Sequence, residues 1–590
     1  MQHPTRNWIL REEPDAAAVA ALASPRVRPE LATLLAQRGI TDPEAARAFY
    51  RPQADALHDP FLMQDMEAAV ERLMQALSEA ERIMVYGDYD VDGTTAVSLV
   101  YGFLSRYVRS AELLTFHIPD RYKEGYGIST IGIDRAAAEK CTLIIALDCG
   151  IKAIDKVEYA RSKGIDMIIC DHHLPGDTLP DAVAVLDPKR ADCAYPYKEL
   201  SGCGIGFKLM QALAQRSGIP FAEVAEQLDL VAVSTACDIV PVDGENRVLA
   251  HLGLQRLNAP DLRPGFRAML DLANIRRELQ LSDLVFVLGP RINAAGRIEH
   301  GQQAVELLLS RNASEAENIG KLIDANNSTR QDFDRTTTEQ ALELIAEDPF
   351  YRDSWSTVVF RPDWHKGVIG IVASRLIEQH YKPTVVLTAS NGKVSGSARS
   401  VKGFDLYEAI SACSDLLEQY GGHTFAAGMT MPEENVPAFR ERFEQVVRER
   451  LPVHCRIPRE EVDLELPLDR IDERFIKDVE RMAPFGPRNM RPMFVARGVV
   501  AASVPRLLRE QHIKAELRMA GTQHPPLDAI AFRMADRLDL VSATEPFSIV
   551  YTVEMNHWNG NSSIQVQVRD IKPGHAELLT NEALTAALPA

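Results

Sequence analysis

No apolar run in this 590-residue chain approaches the length needed to cross a bilayer, which argues against a membrane protein. The opening Met-Gln-His-Pro-Thr-Arg-Asn-Trp lacks the basic start and apolar stretch of a secretory signal, so a cytoplasmic location is expected. The eight cysteines include no Cys-x-x-Cys pair, which points away from structural zinc and disulfides and toward small buried thiols. There is no low-complexity tract. Basic residues are outnumbered, 65 Lys and Arg against 83 Asp and Glu, for a formal net charge of −18. That balance argues against indiscriminate nucleic-acid binding. It leaves room for a nuclease, because carboxylates committed to metals count as negative and a local basic groove can be offset elsewhere.

A chain this long exceeds one hydrophobic core, so about three or four domains are expected. Residues 1–75 read as a helical cap packed on the next domain, punctuated by Pro25, Pro29, Pro43, Pro52 and Pro60. In 76–314, apolar runs at Ile83–Tyr86, Leu143–Leu147, Met167–Cys170 and Ala184–Leu186 alternate with helical patterns, the first over Thr95–Tyr107. Such alternation indicates a parallel sheet covered on both faces. The polar pattern of 315–348 suits a connecting helix or an ordinary surface helix. A smaller α/β unit follows in 349–452, with strands at Thr357–Phe360 and Thr384–Leu387 and a hairpin turn at Asn391-Gly392 before Val394–Arg399. Residues 453–575 turn all-β, with Phe547–Val553 and Ser563–Val568 flanking Trp558-Asn559-Gly560-Asn561. A barrel of the oligonucleotide-binding (OB) type or a plain sandwich fits, and 576–590 is a tail. The expected class is therefore α/β with a C-terminal β-domain.

Acidic clusters follow the apolar runs. Asp88, Asp90 and Asp92 lie in Tyr86–Gly93, Asp148 follows Leu147, Asp171-His172-His173 follows Cys170, and Asp238 follows Leu228–Ala236, a run that suits strand or helix. In open α/β sheets ligands bind beyond the carboxyl ends of strands. An EF-hand fails because Leu99 occupies the twelfth loop position, and Gly87 and Gly93 do not supply a Rossmann phosphate loop. Hard oxygen donors mixed with imidazole suit a manganese or magnesium centre that hydrolyses phosphate esters.

These clusters resemble the four motifs of the DHH phosphoesterase superfamily, and within it the RecJ family of bacterial single-strand-specific DNA exonucleases. Pro119–Ser129, Gly289–Arg297, Trp364–Gly370, Ser397–Ser400, Gly421-Gly422-His423 with Ala426–Gly428, and Pro484-Phe485-Gly486 look like RecJ as well. The resemblance implies a DHH domain, a DHHA1 substrate-binding domain, and 5′→3′ hydrolysis of single-stranded DNA to mononucleotides with two Mn2+ or Mg2+ ions. It makes Asp88, Asp90, Asp148, His172 and Asp238 the metal ligands, with Asp148 bridging, and turns His173 toward the scissile phosphate. Asp92 has two readings. Related enzymes with a His-x-x-x-Asp-x-Asp start would pair Asp90 with Asp92 and put Tyr86 in place of the histidine; alternatively Asp92 holds its own loop by backbone hydrogen bonds.

The resemblance also implies that Gly421, Gly422 and His423 form a phosphate-binding loop, with Arg399 forking onto a phosphate; without it, the glycines would read as a helix C-terminal turn. Arg291, Asn293 and Arg297 are expected at an entrance between lobes, although Arg297 could pair with Glu299. Arg121 and Tyr126 are expected near the metals, while Trp364, His365, Tyr551 and Trp558 are candidates for base stacking. Family architecture implies a passage under the connecting helix that admits only one strand. Implied partners are single-stranded DNA, a single-strand-binding protein and a RecQ-type helicase, for a monomer with no membrane contact. Competing readings are a small-substrate DHH phosphodiesterase (oligoribonuclease, cyclic-dinucleotide hydrolase or pyrophosphatase) and a non-catalytic DNA-binding scaffold. Degradation of long strands against dinucleotides separates the first, and the full set of carboxylates argues against the second.

Overall fold

The computed structural model describes residues 6–25, 27–298, 300–390, 392–558 and 561–580. Asn391, Glu299, Asn559, Gly560 and the end of the tail therefore lie outside the described residues, as does the side chain of Trp558. The chain divides into two units. One comprises Arg51–Gln331 with Pro484–Met490, and the other Met1–Tyr50, Asp332–Ala483 and Arg491–Ala590. The first strand, β1 (Asn7–Leu10), pairs in parallel with Arg459–Val462. The N-terminal segment is thus not the purely helical cap expected. It grows into the unit that holds the C-terminal domains.

The unit containing the acidic clusters is built on β2 (Ile83–Gly87), β3 (Leu114–His117), β4 (Leu143–Leu147), β5 (Asp166–Cys170) and β6 (Ala184–Leu186). All pairings are parallel, in the order β3-β2-β4-β5-β6. Every residue of β2 and β4 is buried, which explains their unbroken apolar runs. Alternate side chains serve opposite faces. Met84, Tyr86, Ile144, Ala146, Met167 and Ile169 join one core cluster with the helices Thr130–Ala138 and Ile154–Ser162. Ile83, Val85, Leu143, Ile145, Leu147 and Ile168 join the other with the helices Val91–Leu104 and Gly202–Ser217. Strand order reverses between β2 and β4, so the loops after these two strands flank the crevice where α/β sheets bind ligands.

One alternative is resolved and one boundary is corrected. The run before Asp238, which suited strand or helix, is the helix Leu228–Cys237; its periodicity is hidden because it is buried on all sides. The helix expected from Thr95 starts at Val91, where Asp90 caps it, and ends at Leu104.

In the other unit, β7 (Thr357–Phe360), β8 (Thr384–Ser390), β9 (Lys393–Arg399), β10 (Gln419–His423) and β11 (Ala426–Met431) form a sheet in the order β10-β11-β9-β8-β7. β8 and β9 pair as the expected hairpin. Gly421 and Gly422 lie in the exposed edge strand β10, not in a helix-terminal turn. The helix Ala313–Glu347 leads from one unit into the other. Beyond β12 (Arg459–Val462) and β13 (Leu464–Glu465) comes the β-domain: β14 (Phe494–Ala501), β15 (Arg506–Leu508), β16 (His512–Met519), β17 (Leu527–Ala531), β18 (Phe547–Trp558) and β19 (Asn561–Pro573). β14 pairs with β18, β18 with β19, β19 with β17, β17 with β16, and β16 with β14 again. This five-strand circuit is the OB arrangement. Tyr551, expected as an exposed aromatic, is fully buried and donates its hydroxyl to the Leu466 carbonyl.

Within the parallel-sheet unit, Lys208 and Glu245 form a fully buried ion pair at 3.0 Å. Glu245 also accepts from the His58 amide and the Tyr195 hydroxyl, and Lys208 donates to the His58 carbonyl. Removing one partner strands the other charge. Lys208→Met is expected to destabilise this unit by about 3–5 kcal/mol in urea unfolding, with partial recovery when Glu245→Gln is added.

Candidate metal centre

The chain leaves β2 and turns at once into a helix whose first residues carry the acids. Asp90 is its N-cap, accepting from the Gly93 amide at 3.0 Å. Asp92, in the first turn, faces away from its own loop. It accepts from the Gly202 and Cys203 amides at 2.7 and 2.8 Å and from the Ser234 hydroxyl at 2.6 Å. Those amides open the helix Gly202–Ser217, an end suited to an anion. The proposed role of holding its own loop is therefore replaced: Asp92 ties together the helices that begin at Val91 and Gly202 and the one that ends at Cys237.

Asp148 follows β4 in the left-handed region, with φ +59°, and its amide donates to the Cys170 carbonyl at 2.8 Å. Gly202 makes room for it, since a Cβ there would stand 2.6 Å from Asp148 Cβ. After β5, Asp171 accepts at one oxygen from the His172 and His173 amides and pairs with His173 Nδ1 at 2.8 Å. Its other oxygen takes the Ile151 amide. Asp171 thus fixes the backbone of both histidines and the ring of His173. Around His172 Nε2 stand Asp148 Oδ1 at 3.2 Å, Asp238 Oδ2 at 3.6 Å and Asp92 Oδ2 at 3.7 Å. Two sets have donor atoms within 4.8 Å of one another: Asp148, His172 and His173, and Asp92, His172 and Asp238. Asp88 and Asp90 stand outside these tight sets but close enough to act on them electrostatically.

That electrostatics is repulsive. Burial, then the charges of Asp92, Asp90, Asp238 and Asp88, push the Asp148 carboxyl well above the usual range. Burial and Asp90 do the same to Asp88; burial, Asp92 and Asp90 do it to Asp238. Burial and Asp92 also raise Asp90. Burial lowers His172, leaving the neutral imidazole a metal requires. His173 is raised against its burial by the hydrogen bond to Asp171, which favours a proton-bearing ring. Asp88 Oδ1 and His172 Nδ1 are buried with no hydrogen-bond partner. Clustered carboxylates, a neutral imidazole and orphaned donor atoms fit divalent cations with oxygen preference. The flanking thiols Cys149, Cys170, Cys203 and Cys237 are all raised by burial, which keeps them protonated and out of a thiolate site.

The other expected residues divide. The Tyr126 hydroxyl lies 3.3 Å from the Asp148 carbonyl and 3.2 Å from His173 Nε2, so it belongs to the centre. Arg121 stacks on Tyr89 at 4.2 Å and draws down the raised carboxyls of Asp88 and Asp90. Arg291 pairs with Asp324 at 2.9 Å and donates to the Val287 carbonyl, so its charge is engaged within its own unit. Asn293 is half-buried on the helix Gly289–Ile298, and the Arg297 carbonyl accepts from Tyr122. In the other unit Arg399 is half-buried and bonded to Ser397 and the Ala398 carbonyl, whereas Gly421, Gly422 and His423 are exposed. Trp364 is buried and donates to Gln340, which removes it from the stacking candidates, whereas half-buried His365 stacks on the exposed Phe333. The sequence reading missed Asp187. It closes β6, is fully buried with Oδ2 lacking a partner, and burial raises its carboxyl to about 7. The signal was present: an acid directly after an apolar run already read as a strand.

Comparison with known proteins agrees with this picture. The DHH family N-terminal domain matches residues 82–235, the DHHA1 domain 354–449 and the RecJ OB domain 462–570. The single-stranded-DNA-specific exonuclease RecJ of Bacillus subtilis (strain 168) is 36% identical over 590 residues, covering 98% of this chain and 73% of that protein. The RecJ exonuclease of Escherichia coli (strain K12) is 35% identical over 530 residues, 86% of this chain and 90% of that one. A crystal structure of RecJ in complex with Mn2+ from Thermus thermophilus superposes with a TM-score of 0.82 at 27% identity, covering 97% of this chain and 80% of that chain. With a relative 36% identical across 98% of this chain, and with DHH, DHHA1 and RecJ OB domains matched along it, this chain belongs to the RecJ family of DHH phosphoesterases.

Proposed function

We propose that this protein is a metal-dependent exonuclease that degrades single-stranded DNA from its 5′ end to mononucleotides. The observation that carries the reading is the buried cage of Asp92, Asp148, His172 and Asp238, whose mutual repulsion calls for cations. In it Asp88, Asp90, Asp92, Asp148, His172 and Asp238 would hold two Mn2+ or Mg2+ ions, with Asp148 shared. Bound there, such ions promote attack of water on a phosphodiester and neutralise the leaving oxygen. His173, raised by its hydrogen bond from Nδ1 to Asp171, would turn Nε2 to a phosphate oxygen as charge develops, with the Tyr126 hydroxyl, 3.2 Å from that nitrogen, giving way to the substrate. Arg121, Arg291, Asn293, Arg297, Arg399, Gly421, Gly422 and His423 remain candidates for holding the strand, and the β-domain lengthens the contact. Among the described residues no helix is long and apolar enough to cross a membrane. The finer attributes of the proposal are a cytoplasmic monomer that works with a single-strand-binding protein and a RecQ-type helicase. The proposed domain limits are near 1–75, 76–314, 315–348, 349–452 and 453–575; the matched segments 82–235, 354–449 and 462–570 fall inside the second, fourth and fifth, whereas the division into units cuts the first at Tyr50.

Strands labelled at either end, digested with Mn2+, test polarity and product: mononucleotides are expected first from the 5′ label, and preference for dinucleotides over long strands would sink the reading. Asp148→Asn is expected to abolish hydrolysis while strand binding survives in a filter assay. His173→Ala should lower kcat by about 10²–10⁴-fold. Mn2+ at a hundred times its Kd should stabilise the chelated protein by about 2.7 kcal/mol in thermal unfolding, and Asp148→Asn should lose most of that gain.

A further inference from the structure

The segment Pro484-Phe485-Gly486 has no part in the site described so far. Its chain neighbours, up to Ala483 and from Arg491, belong to the unit of the smaller sheet and the β-domain, whereas Pro484–Met490 lies within the unit of the metal centre. There it is held against the chain that follows Asp238. The Val242 amide donates to the Pro487 carbonyl at 2.8 Å. Gly486 packs so closely that a Cβ would stand 2.4 Å from Val242 Cγ2, and Val242 is fully buried. Gly486 and Asn489 exchange backbone hydrogen bonds of 3.1 and 2.9 Å, while the Pro484 carbonyl accepts from Asn489 Nδ2 and Arg247 Nη1. Arg488 reaches Glu199 at 3.2 Å and Asp243 at 3.5 Å, and Lys189 stands 3.8 Å from the other oxygen of Glu199.

Ile239, the residue after Asp238, needs this support. Its φ is +60°, a left-handed conformation that a β-branched side chain resists, and its side chain is 66% exposed, so its own packing does not impose it. Such strain persists only where the surroundings over-determine it. Here they are the Tyr197 hydroxyl, which bonds the Pro241 carbonyl and Asp243, and the Val242–Pro487 hydrogen bond. We propose that Pro484–Met490 is a clip that fixes Asp238 in its metal-binding position, with Arg488 as a positioning residue at its tip. The proposal rests on Asp238 being a metal ligand. Arg488 is more than half exposed, so its ion pairs add little to global stability; its effect falls on the geometry of the loop it spans.

The test uses the full chain, with Mn2+ binding by calorimetry, kcat and KM on a single-stranded oligonucleotide, and thermal unfolding. Arg488→Ala is expected to weaken Mn2+ binding about tenfold, as loss of an outer support to a ligand does. It should lower kcat while KM and the unfolding midpoint of the chelated protein hold, and Arg488→Lys should restore most of the loss. Gly486→Ala, which forces a methyl group into Val242, should weaken Mn2+ binding at least as much. Unchanged Mn2+ affinity in Arg488→Ala and Gly486→Ala, while Asp238→Ala loses it, overturns the clip alone. Unchanged affinity in Asp238→Ala overturns the ligand reading and the clip together.

Discussion

The crowding of Asp88, Asp90, Asp92, Asp148 and Asp238 around one neutral imidazole sets the terms for the rest of the fold. Like charges in a low-dielectric crevice oppose folding unless something holds them or neutralises them. The chain spends its best local devices on holding. The Asp92 carboxylate sits on the amides of a neighbouring helix and a buried hydroxyl, and Asp171 is saturated by three backbone donors and an imidazole. Asp148 is left in a left-handed backbone. Neutralising is left to cations, for which orphaned atoms at Asp88 and His172 stand ready.

The acids also divide the labour. Asp171 is satisfied by protein donors and acts as an anchor, while Asp92 combines both parts, held by two amides and a hydroxyl yet facing His172 and Asp238 within the cage. Asp148 and Asp238 have few such partners and carry the raised carboxyls expected of groups awaiting a cation. His172 and His173 illustrate the same split between adjacent residues. Burial draws one ring toward its neutral form and the hydrogen bond to Asp171 draws the other toward its protonated form, so two neighbouring imidazoles are suited to opposite tasks.

Legibility in the sequence followed range of interaction. The parallel sheet could be read because its strands are buried on both faces and so appear as unbroken apolar runs, and the acids after them follow from the same rule. The helix Leu228–Cys237 could not be told from a strand, because burial all round erases helical periodicity. The exposure of Tyr551 was misjudged because β18 is covered on both faces: Val550 packs with Trp8, Val462 and Val495 on one side while Tyr551 meets Phe494 on the other. The partners of Asp92 at Gly202 and Ser234, and the return of Pro484–Met490 to the catalytic unit, lie more than a hundred residues away in the chain. No local pattern announces them.

The left-handed backbone at Asp148 narrows what evolution can place there. Asparagine and glycine tolerate that geometry, but neither supplies a second anionic oxygen, and glutamate would carry its carboxylate a methylene farther from the backbone that Gly202 lets approach. Shape and charge are thus locked to a single residue type at this position.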